Sequence, residues 1–336
     1  MKERFVADLK PGSIVETTFL VQSRELRKTP SGVRLELRLR DASGAIAGRV
    51  RSGDAADFDV DDVVQVKAEA EEFQGQPQLR IETIRRHDGP VDLRDYLPRS
   101  PHDADVLYAA LLDRLRRMRE GPLRQLLLAV MEDPEIARRY KLAPAAMRYH
   151  HAYLGGLLDH VTSLIGLADR VADHYPALDR DLLLAGLVLH DLGKIEELHY
   201  EGAFRYSTRG QLLGHIVIGL ETMREKIAGI PGFPARLRDR LEHIILSHHG
   251  KLEFGSPKEP MFAEALVVHY LDDLDSKLES IRAQYEEDRE RSGEWTTRNR
   301  ALGRELLKRD ASASGGGEQK GQEQDALLAG NPGRPF

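Results

Sequence analysis

Histidine and aspartate supply most of the chemistry this chain can do. Most of its 13 histidines fall between residues 150 and 269. His190 and Asp191 are adjacent, at the end of an apolar run and just before Gly193. A neutral imidazole offers one nitrogen lone pair to a metal, and a carboxylate can bridge two ions. At a helix end the pair can converge on a centre without unwinding an interior turn. His160 follows Gly155-Gly156-Leu157-Leu158-Asp159, and His215 follows Gly214, whose small size leaves room beside it. His248-His249 stands before Gly250, and Asp272 follows the apolar run 265–271. Taken singly, a histidine on an apolar helix is more often a satisfied core residue than a ligand, and His174, His243 and His269 are left to packing or surface. Taken together, His160, His190, Asp191, His215, His248, His249 and Asp272 form a ligand set for a divalent metal.

Imidazoles with carboxylates suit Mn, Fe, Co, Ni or Zn. Seven donors exceed what one octahedral ion needs beside a substrate water, so two ions are expected. His160, His190, Asp191 and Asp272 would hold the first, and His215, His248 and His249 the second, with Asp191 bridging. One ion with supporting histidines is the alternative. Such a centre fits hydrolysis of a phosphodiester by metal-activated water. Lys194, four residues beyond His190, would then stabilise a phosphate oxygen beside the catalytic Asp191; its other reading is a solvated lysine near a helix end. His150, His151 and Arg209 are candidate substrate contacts, with packing or capping as the alternative for the two histidines. Asp273 and Asp275 are left to supporting positions or solvent.

These residues need helices to carry them. From about residue 105 apolar positions recur at helical spacing, as in Leu107, Leu111, Leu112 and Leu115. Asp179 or Asp181 is placed to cap a helix over 182–190, and an apolar helix is expected over 263–281. Each candidate ligand falls on a separate helix, and a bundle can aim them at one centre.

Residues 1–87 read differently. Val33, Leu35, Leu37 and Leu39 alternate with Arg34, Glu36, Arg38 and Arg40, the period of a half-buried strand. Further strands are expected at 14–21, 45–50, 63–68 and 78–84, separated by turn residues, with a helical or irregular stretch at 52–62. Five short strands suit a barrel of the OB type, with an SH3-like barrel as the alternative. Between residues 24 and 51 lysine and arginine exceed acids by five, within a chain of net charge −6. Arg34, Arg38 and Arg40 are placed to track a nucleic-acid backbone, and Phe73, in the loop after the fourth strand, to stack a base. The competing reading is a charged sheet face that only meets solvent.

The expected organisation is a barrel domain at 1–87, a linker at 88–104, a helical domain at 105–285, a helical extension at 286–309 and a disordered tail at 310–336. The chain has 336 residues and no cysteine, which excludes disulfides and thiolate metal sites. No apolar run approaches a membrane span, and the first ten residues lack a signal core. The expected address is cytoplasmic, without membrane partners, and a homo-oligomer is compatible with the sequence.

The order His…His-Asp…His…His-His…Asp over residues 105–285 resembles the HD superfamily of metal-dependent phosphohydrolases. With an OB-type barrel in front, the chain resembles the YhaM-type 3'-5' exoribonucleases. The resemblance implies a multidomain α and β fold, a five-stranded OB-type barrel followed by an all-α HD-domain bundle. It implies stepwise removal of nucleotides from the 3' end of single-stranded RNA, with single-stranded DNA as a second substrate, and a preference for manganese. The alternatives are an HD phosphohydrolase of small nucleotides, such as a dNTP or cyclic nucleotide, and a nucleic-acid-binding protein with a structural metal site.

Overall fold

The structure is a computed structural model that describes residues 2, 4–29, 32–51, 57–73, 76–147, 151–200, 204–289 and 291–308. It divides into two compact units, the first running to Arg99 and taking in residues 199–205, the second holding the rest.

The first unit is a closed barrel of five strands, β1 (Ile14–Thr29), β2 (Gly32–Asp41), β3 (Gly44–Arg51), β4 (Val63–Phe73) and β5 (Gln76–Arg86). Their order is β1-β2-β3-β5-β4, with β4 returning to β1 and β5 running parallel to β3. This is the five-stranded OB-type barrel expected from the sequence. β1 is twice as long as its expected span because it pairs with β4 through its first half and with β2 through its second. A register shift between Val21 and Ser23 bends it around the barrel and breaks the alternation that would have revealed its length. Inside, Leu35, Leu37 and Leu39 pack with Phe19, Val64, Leu79 and Phe58, the last from the irregular segment before β4. Residues 57–62 hold no helix, and residues 52–56 of that expected stretch lie outside the described residues.

Part of the segment expected as a linker is ordered against the barrel. Tyr96 and Leu97 are buried, the Tyr96 hydroxyl lies 2.6 Å from Thr18 Oγ1, and Ala42 N–H donates to Asp95 O at 3.0 Å.

The second unit is helical: α1 (Ala104–Arg116), α2 (Gly121–Met131), α3 (Pro134–Leu142), α4 (Gly156–His174), α5 (Arg180–Leu189), α6 (Lys194–Glu197), α7 (Thr208–Ala228), α8 (Ala235–Ser247) and α9 (Ala263–Glu287). The starts follow ordinary capping chemistry: Asp103, Asp133, Asp179 and Ser207 each accept first-turn N–H groups. α5 is the axis of the unit. Every residue from Leu182 to Leu189 is buried, and the helix packs against α2, α4, α8 and α9. A helix apolar on all sides must sit at the centre, so whatever follows its C-terminus is delivered to the interior.

The helical extension expected over 286–309 is corrected. α9 ends at Glu287, and residues 291–308 form no helix. They fold back through short bridges, Trp295 to Leu307 and Asn299 to Arg304, and Thr297 N–H donates to Asp288 Oδ2 at 2.6 Å. The tail expected at 310–336 lies outside the described residues. Among the described residues no helix is long and apolar enough to cross a membrane.

Candidate metal centre

α5 delivers His190 and Asp191 to the interior, where both are almost inaccessible. His160, on α4, is also fully buried, and α9 presents Asp272. Asp272 Oδ1 lies 3.2 Å from His160 Nε2 and 3.9 Å from His190 Nε2. Asp191 Oδ2 lies 3.2 Å from His190 Nε2 and 3.9 Å from His160 Nε2. The other oxygen of the same carboxylate faces a second group. Asp191 Oδ1 is 3.5 Å from His215 Nε2 and 3.7 Å from His248 Nε2. His249 completes that group, its ring centroid 4.3 Å from that of His248. Ligand atoms of His160, His190 and Asp272 lie within 4.8 Å of one another, as do those of His215, His248 and His249. All seven expected ligands are therefore gathered in two groups, with Asp191 between them.

The outer nitrogens reveal what the inner ones do. His190 Nδ1 lies 2.8 Å from Leu187 O, His248 Nδ1 2.7 Å from Ile245 O, and His249 Nδ1 3.1 Å from Phe254 O. A carbonyl only accepts, so each Nδ1 carries the proton and each Nε2 of the neutral ring keeps a lone pair. His215 follows the same logic, its Nδ1 lying 3.0 Å from Glu197 Oε1. The His215 and His248 Nε2 atoms, 3.4 Å apart, thus face each other as two acceptors. Among the described residues, nothing hydrogen-bonds to the buried His190 Nε2 or Asp191 Oδ1. Inward lone pairs around a buried carboxylate are what a divalent cation requires, and outward N–H groups held by carbonyls and carboxylates are the usual support of metal-binding imidazoles. The residues present fit the ion.

Charge at the centre is finely opposed. Burial alone would raise the Asp191 carboxyl, but the charge of Lys194 outweighs it and holds the group well below the usual range. Burial likewise opposes, and the hydrogen bond from His160 overcomes it, in keeping Asp272 low. His160 has an acid close to each of its nitrogens. Burial would lower it, yet Asp272 on one side and Asp275, 2.7 Å from Nδ1, on the other push it up to about 9. Burial drives His248 far below the ordinary histidine value. Lys194 Nζ lies 2.7 Å from Asp191 Oδ2; burial would lower the ammonium, but Asp191 keeps it above the usual lysine range.

The HD domain family matches residues 157–277, the stretch that holds all seven of these residues. The 3'-5' exoribonuclease YhaM of Bacillus velezensis is 35% identical over 297 residues, 87% of this chain and 93% of that protein. The YhaM of Bacillus subtilis strain 168 is 35% identical over 80% of this chain and 85% of its own length.

This chain belongs to the YhaM family.

At 87% of this chain, the similarity to the Bacillus velezensis protein extends beyond the helical unit into part of the barrel unit. An HD domain implies a divalent metal, and the histidine and aspartate clusters are groups that could hold one. A YhaM of Listeria monocytogenes is 34% identical over 82% of this chain.

The remaining expected site residues are placed less centrally. His151 is buried with both ring nitrogens engaged, Nε2 3.1 Å from Asp275 Oδ2 and Nδ1 2.8 Å from the Tyr153 hydroxyl. It packs beside His160, the arrangement of the packing role that is the alternative to a substrate contact. His150 lies outside the described residues. Arg209 is exposed and pairs with Glu221 and Glu196, so acids already neutralise the guanidinium expected to meet a phosphate. On the barrel, Arg38 is exposed and Arg34 half-buried. Arg40 is also half-buried, and desolvation lowers its pKa, so it does not stand free in solvent as its place in the alternation implies. Phe73 closes β4 instead of standing in the loop, 44% exposed, with the Arg49 guanidinium 4.3 Å from its ring centroid.

Three supporting residues were not singled out. Glu197 accepts from His215, Tyr153 donates to Asp159 Oδ2 at 2.9 Å, and Ser163 donates to Asp275 Oδ1 at 2.5 Å. Asp275 occupies one of the supporting positions anticipated for it. None of these carried a local signal: a glutamate in Lys194-Ile195-Glu196-Glu197 reads as a solvated helix face.

Proposed function

We propose that this chain is a metal-dependent 3'-5' exoribonuclease that hydrolyses single-stranded RNA from its 3' end, with single-stranded DNA as a lesser substrate. The observation that carries the chemistry is the divided Asp191 carboxylate, one oxygen facing each histidine group. That division favours two ions over one, manganese first, with Fe, Co, Ni or Zn compatible with the same donors. His160, His190, Asp191 and Asp272 would hold one ion, and His215, His248 and His249 the other, with Asp191 shared. Bound there, divalent ions neutralise phosphate charge and lower the pKa of a coordinated water.

The chain's own residues do the positioning. The Nδ1 contacts fix the imidazoles before substrate arrives, so little reorganisation accompanies reaction. Lys194 holds a fixed positive charge beside Asp191, available to an oxygen that gains charge as the phosphodiester is attacked. The barrel, assigned to 1–87, binds the strand through Arg34 and Arg38, with Arg40 and Phe73 in lesser roles, and the domain assigned to 105–285 cuts it. A cysteine-free chain suits a reducing cytoplasm.

The choice of polynucleotide over free nucleotide rests on the YhaM relatives, whose similarity covers 87% of this chain in the Bacillus velezensis protein, more than the HD domain alone. The test is 5'-end-labelled single-stranded RNA with manganese, run beside matched DNA and a panel of dNTPs and cyclic nucleotides. Labelled RNA should shorten progressively from its 3' end. Asp191→Ala should slow that loss by more than about a hundredfold, beyond the usual cost of losing a residue that merely supports a ligand. Intact RNA alongside hydrolysis of a small nucleotide would overturn the assignment.

A further inference from the structure

We infer that Glu197 is the positioning residue that makes His215 a competent metal ligand, by capping a broken helix and holding the imidazole's Nδ1 proton with the same oxygen. The inference rests on reading the centre as a metal site.

α7 is not one continuous helix. At Gly214 the backbone turns to φ 72° and ψ 160°, a conformation open to glycine and strained for other residues. The break starts a fresh helical segment at His215, whose backbone N–H has lost its intrahelical acceptor. Glu197 Oε1 accepts that N–H at 2.9 Å and also lies 3.0 Å from His215 Nδ1. One carboxylate oxygen therefore fixes backbone and ring together, and the inner nitrogen is left facing Asp191 Oδ1 and His248.

Glu197 is itself held in place. It is buried at the end of α6, and its carbonyl accepts Ser207 N–H at 2.8 Å. Gly210 packs so closely that a Cβ there would fall 2.2 Å from the Glu197 carbonyl oxygen. Burial would raise its carboxyl, but the His215 contacts keep it below the usual range.

Within its group His215 is distinctive. His248 and His249 have their outer nitrogens on backbone carbonyls, whereas His215 has a carboxylate. A charged acceptor on Nδ1 makes Nε2 the more basic donor. Glu197 thus supplies the histidine group with its strongest neutral ligand, without touching ion or substrate.

The test uses the full chain. Manganese titration calorimetry compares wild type, Glu197→Gln and Glu197→Ala, and nitrogen NMR reads the tautomer of His215 in metal-free protein. Wild type should bind two Mn2+ and show the Nδ1–H tautomer. In Glu197→Gln the amide oxygen still accepts both N–H groups but lacks the charge. One of its two equivalents should weaken by about 10- to 100-fold while the other is unchanged. Glu197→Ala should lose that equivalent and populate the Nε2–H tautomer; if it fails to fold, Glu197→Gln carries the comparison. Wild-type affinity for both equivalents in Glu197→Gln, with an unaltered tautomer in any folded variant, would overturn the role of Glu197. Should wild type bind fewer than two ions, the two-metal reading fails, and the tautomer measurement still decides whether Glu197 orients His215.

Discussion

Lys194 and a bound cation answer the same need, a positive charge beside a buried carboxylate. Without metal, Lys194 is the nearest fixed cation to Asp191, at 2.7 Å. Lys194→Met should therefore destabilise the metal-free protein by about 3–5 kcal/mol, the usual cost of leaving a buried charge unpaired. Manganese should restore most of that loss, because the ion replaces the missing charge and binds only the folded chain. Denaturation in chelator and in excess Mn2+ checks this; equal destabilisation in both would mean that Lys194 packs rather than pairs. His160 adds a pH dependence of definite sign. Its ring is held at about 9 by two acids, so it is protonated at neutral pH, and an ion at Nε2 must displace that proton. Manganese affinity should rise about tenfold per pH unit up to about 9 and then level off. A flat profile from pH 7 to 9 would remove His160 from the ligand set. The candidate ligands were readable because scarce residue types recur after apolar runs and beside glycines, as at the ends of α5 and α8. Their supports were not: Asp275 meets His160 across 115 residues and His151 across 124, and no local pattern encodes such a pairing.

At the scale of elements, the site depends on how closely α6 and α7 approach. Gly193 is where the backbones meet, and a Cβ there would lie 2.0 Å from His215 O and 2.7 Å from Gly219 N. Both obstacles are backbone and cannot rotate aside. Gly193→Ala should cost about 3 kcal/mol, the upper part of the range for overpacking. It should also weaken manganese binding, since His215 must move with α7. Urea denaturation with parallel metal titration measures both, and an unchanged midpoint would show that the two helices have slack. In the sequence Gly193 looked like the end of α5, but its φ of −63° is one any residue can adopt. The glycine is required by the neighbouring helix, which the sequence around it does not contain. The segment after α9, where the expected organisation places a helical extension at 286–309, departs from helix for a reason that also lies elsewhere in the chain. There Gln284 and Asp288 hold Thr297 by side-chain bonds, and Asn299 is tied to Ser280, which pins an irregular segment instead.

At the scale of the whole molecule, a chain of net charge −6 would have to hold the polyanion proposed as its substrate. Global charge opposes association, so the attraction must be local. On the proposed function the outer side of β2 would provide it in part: Arg38 is exposed and Arg34 half-buried, while between them Glu36 pairs with Arg27 at 3.1 Å. The alternation of the sequence showed this face correctly, but not that Arg40 would be withdrawn from it by desolvation. Each phosphate contact on a single strand adds about 0.7 to the slope of log affinity against log salt. Arg34→Ala with Arg38→Ala should therefore flatten that slope by about 1.4 for single-stranded RNA and weaken binding uniformly across sequences. Arg40→Ala should contribute a smaller change, because a half-buried guanidinium does not fully meet the strand. Measured in chelator, so that the metal centre takes no part, an unaltered slope in the double variant would mean that the basic side of the barrel meets only solvent. In that case the grip on RNA would have to come from the helical unit alone.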